Sequence, residues 1–148
     1  MIYFQWINYS ELSAEQLYTI LALRAEVFIL GQQCLYLDPD GKDRSAIHLL
    51  GTEDNQLVAY LRLFPPTEKE NDVVFGRVLT AASVRKKGYG KQLMQEMFDY
   101  CASHFPSHTI SCSAQYYLKN FYESFGLVAY GEKYEEDNIL HIAMKKIP

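Results

Sequence analysis

Hydrophobic positions along the chain alternate between a period of two and a period near 3.6, and the changes of period divide it into elements. Residues 2–7, IYFQWI, are β-prone and open the fold. In the next stretch Leu17, Ile20, Leu21, Leu23, Val27 and Phe28 recur on one helical face, and Ser13 and Gln16 have capping-box spacing. This predicts a helix over 14–30, ending near Gly31. Residues 31–46 read as a loop, with Pro39 and Gly41 as turn punctuation and Asp38, Asp40 and Asp43 crowded together.

Strands follow at 48–52, 56–64 and 73–80, separated by Asp54-Asn55 and by PPTEKEND. Residues 88–104 carry Leu93, Met94, Met97, Phe98 and Cys101 at helical spacing, and Pro106 stops that helix. HTISCSAQ is a strand, YYLKNFYESFG a short helix with Gly126 as its cap, and two last strands flank Asp137-Asn138. The order β-α-βββ-α-β-α-ββ predicts an α/β fold with a mixed central sheet flanked by helices. No repeat or linker interrupts it, so residues 1–148 read as a single domain.

Composition narrows the function. Hydrophobic residues make up 49% of the 148, which suits a packed core. The net charge of -4 argues against a general nucleic-acid binder, and no apolar run approaches the roughly 20 residues that cross a bilayer. Cys34, Cys101 and Cys112 are odd in number and lack C-x-x-C spacing. Free thiols in a reducing, cytoplasmic setting are the simpler reading than a disulfide or a metal site. Edge strands such as IYFQWI or ILHIAMKKI are candidates for pairing two copies into a homodimer.

The sharpest local feature is Arg85-Lys86-Lys87-Gly88-Tyr89-Gly90, set between a strand and a helix. Glycines two apart let the backbone bend and approach a ligand. The first N–H groups of the following helix are unpaired, and the helix dipole adds positive potential there. Arg85, Lys86, Lys87 and Lys91 add charge, so the loop reads as an anion site for a phosphate-bearing ligand. It is neither a Walker A loop nor the dinucleotide fingerprint.

R-K-K-G-Y-G resembles the R/Q-x-x-G-x-G/A signature of the GNAT superfamily of acyl-coenzyme A N-acyltransferases, and FYESFGL at Phe121–Leu127 resembles that family's F-Y-x-x-x-G-F segment. LRAEVFILGQQCLYLDPDGKD, SAQYYLKNFYESFG and YEEDNILHIAM are similar to its ElaA-type branch. The resemblance implies an N-acetyltransferase that uses acetyl-coenzyme A as cosubstrate, with no metal, and transfers to a primary amine in a ternary complex. It further implies that backbone groups of Val78, Leu79 and Thr80 pair with pantetheine. Backbone N–H groups of Lys86, Lys87, Gly88, Gly90 and Lys91 cradle the pyrophosphate beside Arg85 and Tyr89. Gln115 stands where many relatives carry Asn, and Tyr122 where many carry the general acid for the leaving thiolate. The alternative is an acyl-coenzyme A-binding sensor of the same fold without turnover.

The acceptor site and the base are left open by the residues. Asp38, Asp40, Asp43, His48, Glu26, Glu136, Asp137 and His141 are the candidates for the base. Arg62 and Arg77 fall close together if their strands form a hairpin. They are then either neutralised internally by Asp38, Asp40 or Glu26, or they clamp an acceptor carboxylate between them.

Overall fold

The computed structural model describes residues 1–148. Seven strands form one sheet: β1 Tyr3–Asn8, β2 Ile47–Glu53, β3 Gln56–Phe64, β4 Val73–Thr80, β5 Ile110–Gln115, β6 Val128–Glu136 and β7 Ile139–Lys146. Their spatial order is β1-β2-β3-β4-β5-β7-β6, antiparallel throughout except for the parallel β4–β5 pair. The expected order of elements and the mixed sheet are both present. Of the two strands expected as edges, β1 is one. β7 is not, because it lies between β5 and β6, and β6 is the outer strand.

Two helices cover opposite faces, and the strands show why. Along β2 and β3 neighbouring side chains point to opposite sides. Leu49, Leu61 and Leu63 pack with Leu93, Met94 and Met97 of α2 (Tyr89–His104). Leu50 and Tyr60 pack with Ile20, Leu23 and Phe28 from the first helix. β3 is therefore buried on both faces from Val58 to Leu63, which explains why its residues are apolar apart from Gln56 and Arg62.

The first helix begins with the expected capping box: Gln16 N–H donates to Ser13 Oγ at 3.0 Å and Ser13 N–H to Gln16 Oε1 at 2.9 Å. It is α-helical over Ala14–Arg24 (α1) and then widens into a π turn over Ala25–Leu30. There Gly31 N–H donates to the Glu26 carbonyl, five residues back, at 2.8 Å. The short α3, Lys119–Glu123, ends before Gly126, whose φ of 93° is the left-handed conformation expected of a glycine cap.

Two departures from regularity open the sheet. Tyr60 faces Leu79 and Arg62 faces Gly76, so Arg77 and Val78 together oppose Leu61 in a β-bulge. Arg77 takes a φ of 52° there. β4 and β5 pair only at Val73–Ile110 and Val74–Ser111 and then separate. Beyond that point β4 has no strand on its β5 side.

Candidate active site

The gap between β4 and β5 opens into a cleft of about 1030 Å³. Val78, Leu79 and Thr80 line it from β4, Arg85 and Gly90 from the start of α2, and Gln115 and Tyr122 from the far wall. Of the residues expected to hold pantetheine and pyrophosphate, Val78, Leu79, Thr80, Arg85, Gly90 and Gln115 line this space, whereas Lys86, Lys87, Gly88, Tyr89 and Lys91 are not among its lining residues.

The helix start suits an anion. Gly88 precedes α2 with a φ of 81°, a left-handed conformation, and no side chain caps the helix. The first helical bond runs from Gln92 N–H to the Gly88 carbonyl at 3.2 Å. The N–H groups of Tyr89, Gly90 and Lys91 therefore lack an intrahelical partner. A Cβ on Gly90 would make ordinary contact with the side chains of Phe121 and Thr80 at 3.9 Å, and Gly90 lines the cleft. Coenzyme A's diphosphate fits this cradle.

Two of the expected loop contacts are spent elsewhere. Lys87 N–H donates to the Val84 carbonyl at 3.3 Å, and Lys87 Nζ lies 3.3 Å from Glu53 Oε1. The Tyr89 hydroxyl also donates to Glu53, and Tyr89 is buried. Glu53, at the end of β2, thereby fastens the loop to the sheet. Nothing in the local sequence around Glu53 signals this, since it lies 36 residues from Tyr89.

Tyr122 is 5% exposed, tilted against Phe75 and set edge-on to Phe121. Its hydroxyl has no hydrogen-bond partner in the chain and opens on the cleft. Burial raises its pKa above the ordinary tyrosine value, so it enters as a neutral O–H donor. Gln115, expected to contact pantetheine, lines the cleft and is paired there with Gln32. Gln32 Nε2 donates to Gln115 Oε1 at 2.8 Å and Gln115 Nε2 to Gln32 Oε1 at 3.2 Å. Gln32 went unnoticed in the sequence because its partner is 83 residues away. The pair joins the turn just after the π segment to the end of β5, and both residues line the cleft.

Of the two readings of Arg62 and Arg77, the structure shows internal neutralisation and not two free guanidiniums available to clamp an acceptor carboxylate. Arg62 does pair with Gly76, as the hairpin required. Both guanidiniums, however, are engaged by aspartates of the loop after the first helix. Arg62 Nη2 meets Asp40 Oδ2 at 2.5 Å, and its Nη1 donates to Asp40 and Asp43 at 2.9 Å each. Arg77 Nε donates to Asp38 Oδ1 at 2.9 Å. A third arginine completes the set: Arg24, with no exposed surface, donates from Nε to Asp38 at 2.8 Å and from Nη1 to Asp43 at 2.7 Å. Glu26 takes no part. Three guanidiniums and three carboxylates neutralise one another between the first helix and the sheet.

The arginine partners hold Asp40 well below the usual carboxylate range. Burial pushes Asp43 upward, but Arg24 and Arg62 outweigh it and its pKa is lowered. Asp38, Asp40 and Asp43 are therefore structural anions, and none is a base. His48 is corrected as well. It is fully buried, with Nδ1 2.6 Å from the Tyr60 hydroxyl and Nε2 2.9 Å from the Asp43 carbonyl. Burial lowers its pKa, so it stays neutral and away from the cleft.

His141 is the histidine that the fold brings to the site. It sits on β7 opposite Gln115 and lines the cleft with Glu136 and Asp137. Nδ1 lies 2.7 Å from the Ile139 carbonyl, and a carbonyl only accepts, so Nδ1 carries a hydrogen. Nε2 is left 3.6 Å from Glu136 Oε2, and the ring stacks on Tyr134. The cysteines offer no alternative nucleophile: all three are buried and free, and burial pushes Cys101 and Cys112 up to about 12.

A sheet split at a bulged fourth strand, with an anion-binding helix start beside the split, defines a class of acyltransferase fold. Residues 12–148 match the family described as Acetyltransferase (GNAT) domain, and the chain belongs to it. Protein ElaA of Escherichia coli strain K12 is 41% identical over 148 residues, covering 99% of this chain and 97% of its own. The crystal structure of Escherichia coli ElaA superposes with a TM-score of 0.91 over 99% of both chains. An acyl-CoA N-acyltransferase from Pseudomonas aeruginosa, 36% identical, gives 0.93 over 99% of both chains. An aminoglycoside 6'-N-acetyltransferase crystallised with coenzyme A covers 98% of this chain and 96% of its own at 14% identity. Its TM-score of 0.72 reflects a shared fold alone.

Proposed function

We propose that this protein transfers an acyl group, acetyl first among candidates, from acyl-coenzyme A to a primary amine by direct attack in a ternary complex. One observation carries the reading. The unpaired Tyr122 hydroxyl opens on the same cleft as the free edge of β4 and the uncapped start of α2.

When bound, the thioester supplies an activated acyl carbon and a thiolate leaving group. The chain supplies the rest. N–H groups of Tyr89, Gly90 and Lys91 hold the diphosphate. The unpaired β4 edge at Val78–Thr80 receives the pantetheine amides and polarises the carbonyl. Tyr122 delivers a proton to the departing sulfur. The three unpaired cysteines support a cytoplasmic setting.

The test is thiol release from acetyl-coenzyme A and longer acyl donors across an amine panel, with Tyr122→Phe beside the native protein. The Phe variant is expected to lose roughly 10²–10⁴-fold in kcat, the usual worth of general acid catalysis, with unchanged donor affinity by calorimetry. Donor binding without thiol release on any amine would make the chain a sensor instead.

A further inference from the structure

The acceptor half of the cleft has a charge pattern opposite to the one that two arginines first suggest. Arg62 and Arg77 are neutralised by Asp38, Asp40 and Asp43. Glu136 and Asp137, at the β6–β7 turn, have no basic partner apart from the His141 ring beside Glu136. Tyr36 and Tyr117 add aromatic walls. Such a site attracts a cation, and an aliphatic amine at neutral pH is one.

An ammonium has no lone pair and must lose a proton before it attacks. His141 is 8% exposed, lines the cleft, and is oriented through Nδ1 by the Ile139 carbonyl. Its Nε2 therefore holds the lone pair, with Glu136 placed to stabilise the imidazolium once formed. The groups that face it are Glu136 and Tyr134 from β6, Asp137 from the turn, Gln115 from β5 and Tyr117 beyond it. None is cationic.

We infer that His141, backed by Glu136, is the base that deprotonates the acceptor, and that the acceptor is a cationic amine without a carboxylate beside its amino group. The inference rests on the acyltransferase reading. The protons balance as follows. One leaves the ammonium for His141 Nε2 and passes to solvent. The freed lone pair forms the C–N bond as the C–S bond breaks and its electron pair goes to sulfur. Tyr122 protonates that sulfur and regains its proton from the nitrogen that becomes the amide.

The test uses the full chain. His141→Gln is expected to lower kcat/KM for simple alkylamines by about 10²-fold at neutral pH and to abolish the acidic limb of the pH profile, with acyl-coenzyme A affinity by calorimetry unchanged. Glu136→Gln is expected to lower kcat/KM for the same amines, by a smaller factor than His141→Gln does. Two-dimensional NMR of the native protein without donor should show the His141 ring titrating at the pH of the limb. Calorimetry without donor should show diamines binding more tightly than amino acids. Full kcat/KM in His141→Gln, or a His141 titration away from the limb, overturns the base. Tighter binding of amino acids overturns the acceptor class. If the native protein releases no thiol with any donor and amine, the acyltransferase reading itself falls.

Discussion

Two groups of cationic residues in this chain have opposite fates. Arg24 on α1, Arg62 on β3 and Arg77 on β4 each meet aspartates within about 3 Å. Arg85 and Lys86 lie on the loop before α2 and Lys91 in its first turn, and none of the three forms a salt bridge. The first group is consumed by the fold, and the second is left for something outside it. Residue type does not separate them, but the number of partners within the chain does. Buried charges need full neutralisation, since removing one partner leaves an uncompensated charge in a poorly solvated place.

The comparison breaks most visibly at Arg24. Arg24→Ala leaves Asp38 and Asp43 buried with fewer donors, and a loss of about 3–5 kcal/mol is expected from urea unfolding at neutral pH. A loss under about 1 kcal/mol would show the network to be weakly coupled to folding. At Gly90 the order of effects reverses. A Cβ there makes only ordinary contact with Phe121 and Thr80 at 3.9 Å, so Gly90→Asp should unfold like the native protein. Its carboxylate would sit in the diphosphate cradle, and acyl-coenzyme A affinity should fall tenfold or more, at least about 1.4 kcal/mol by calorimetry.

pH separates the groups next. Asp40 and Asp43 have pKa values depressed from 3.8 in the fold, so their contribution is present above that pH and is lost as pH falls below it. His48 has a pKa depressed from 6.5, so the unfolded chain takes up its proton first. Stability is therefore also lost as pH drops below about 6.5. Denaturant midpoints should fall in two stages, the first absent in His48→Gln and the second, below about pH 4, retained. A midpoint constant from pH 7 to pH 4 would exclude the histidine stage. The smallest effect is expected at the loop. Lys86 is exposed and makes no salt bridge, so Lys86→Ala should leave stability unchanged and weaken donor binding by under about 1 kcal/mol.

Much of the fold was legible because its signals are local. The β-prone run of β3, the stripe on α2 and the Ser13–Gln16 box each lie within one element, and each appears where expected. The anion loop was legible for the same reason: glycine, bend and helix start are contiguous. The π turn was not, since one extra residue in a turn barely disturbs the apolar spacing of Val27 and Phe28.

The site's polar side chains depended on partners far along the chain. Arg77 meets Asp38 across 39 residues, Gln32 meets Gln115 across 83, and Lys87 meets Glu53 across 34. His48 and His141 look alike in sequence, each a lone histidine in a β-prone run. Only the sheet order buries one beneath the first helix and sets the other opposite Gln115. The sequence by itself determined the elements and the anion-binding backbone, because hydrogen bonding and periodicity act between near neighbours. The tertiary structure alone decided which charges are spent and which remain, because ion pairing depends on distance in space.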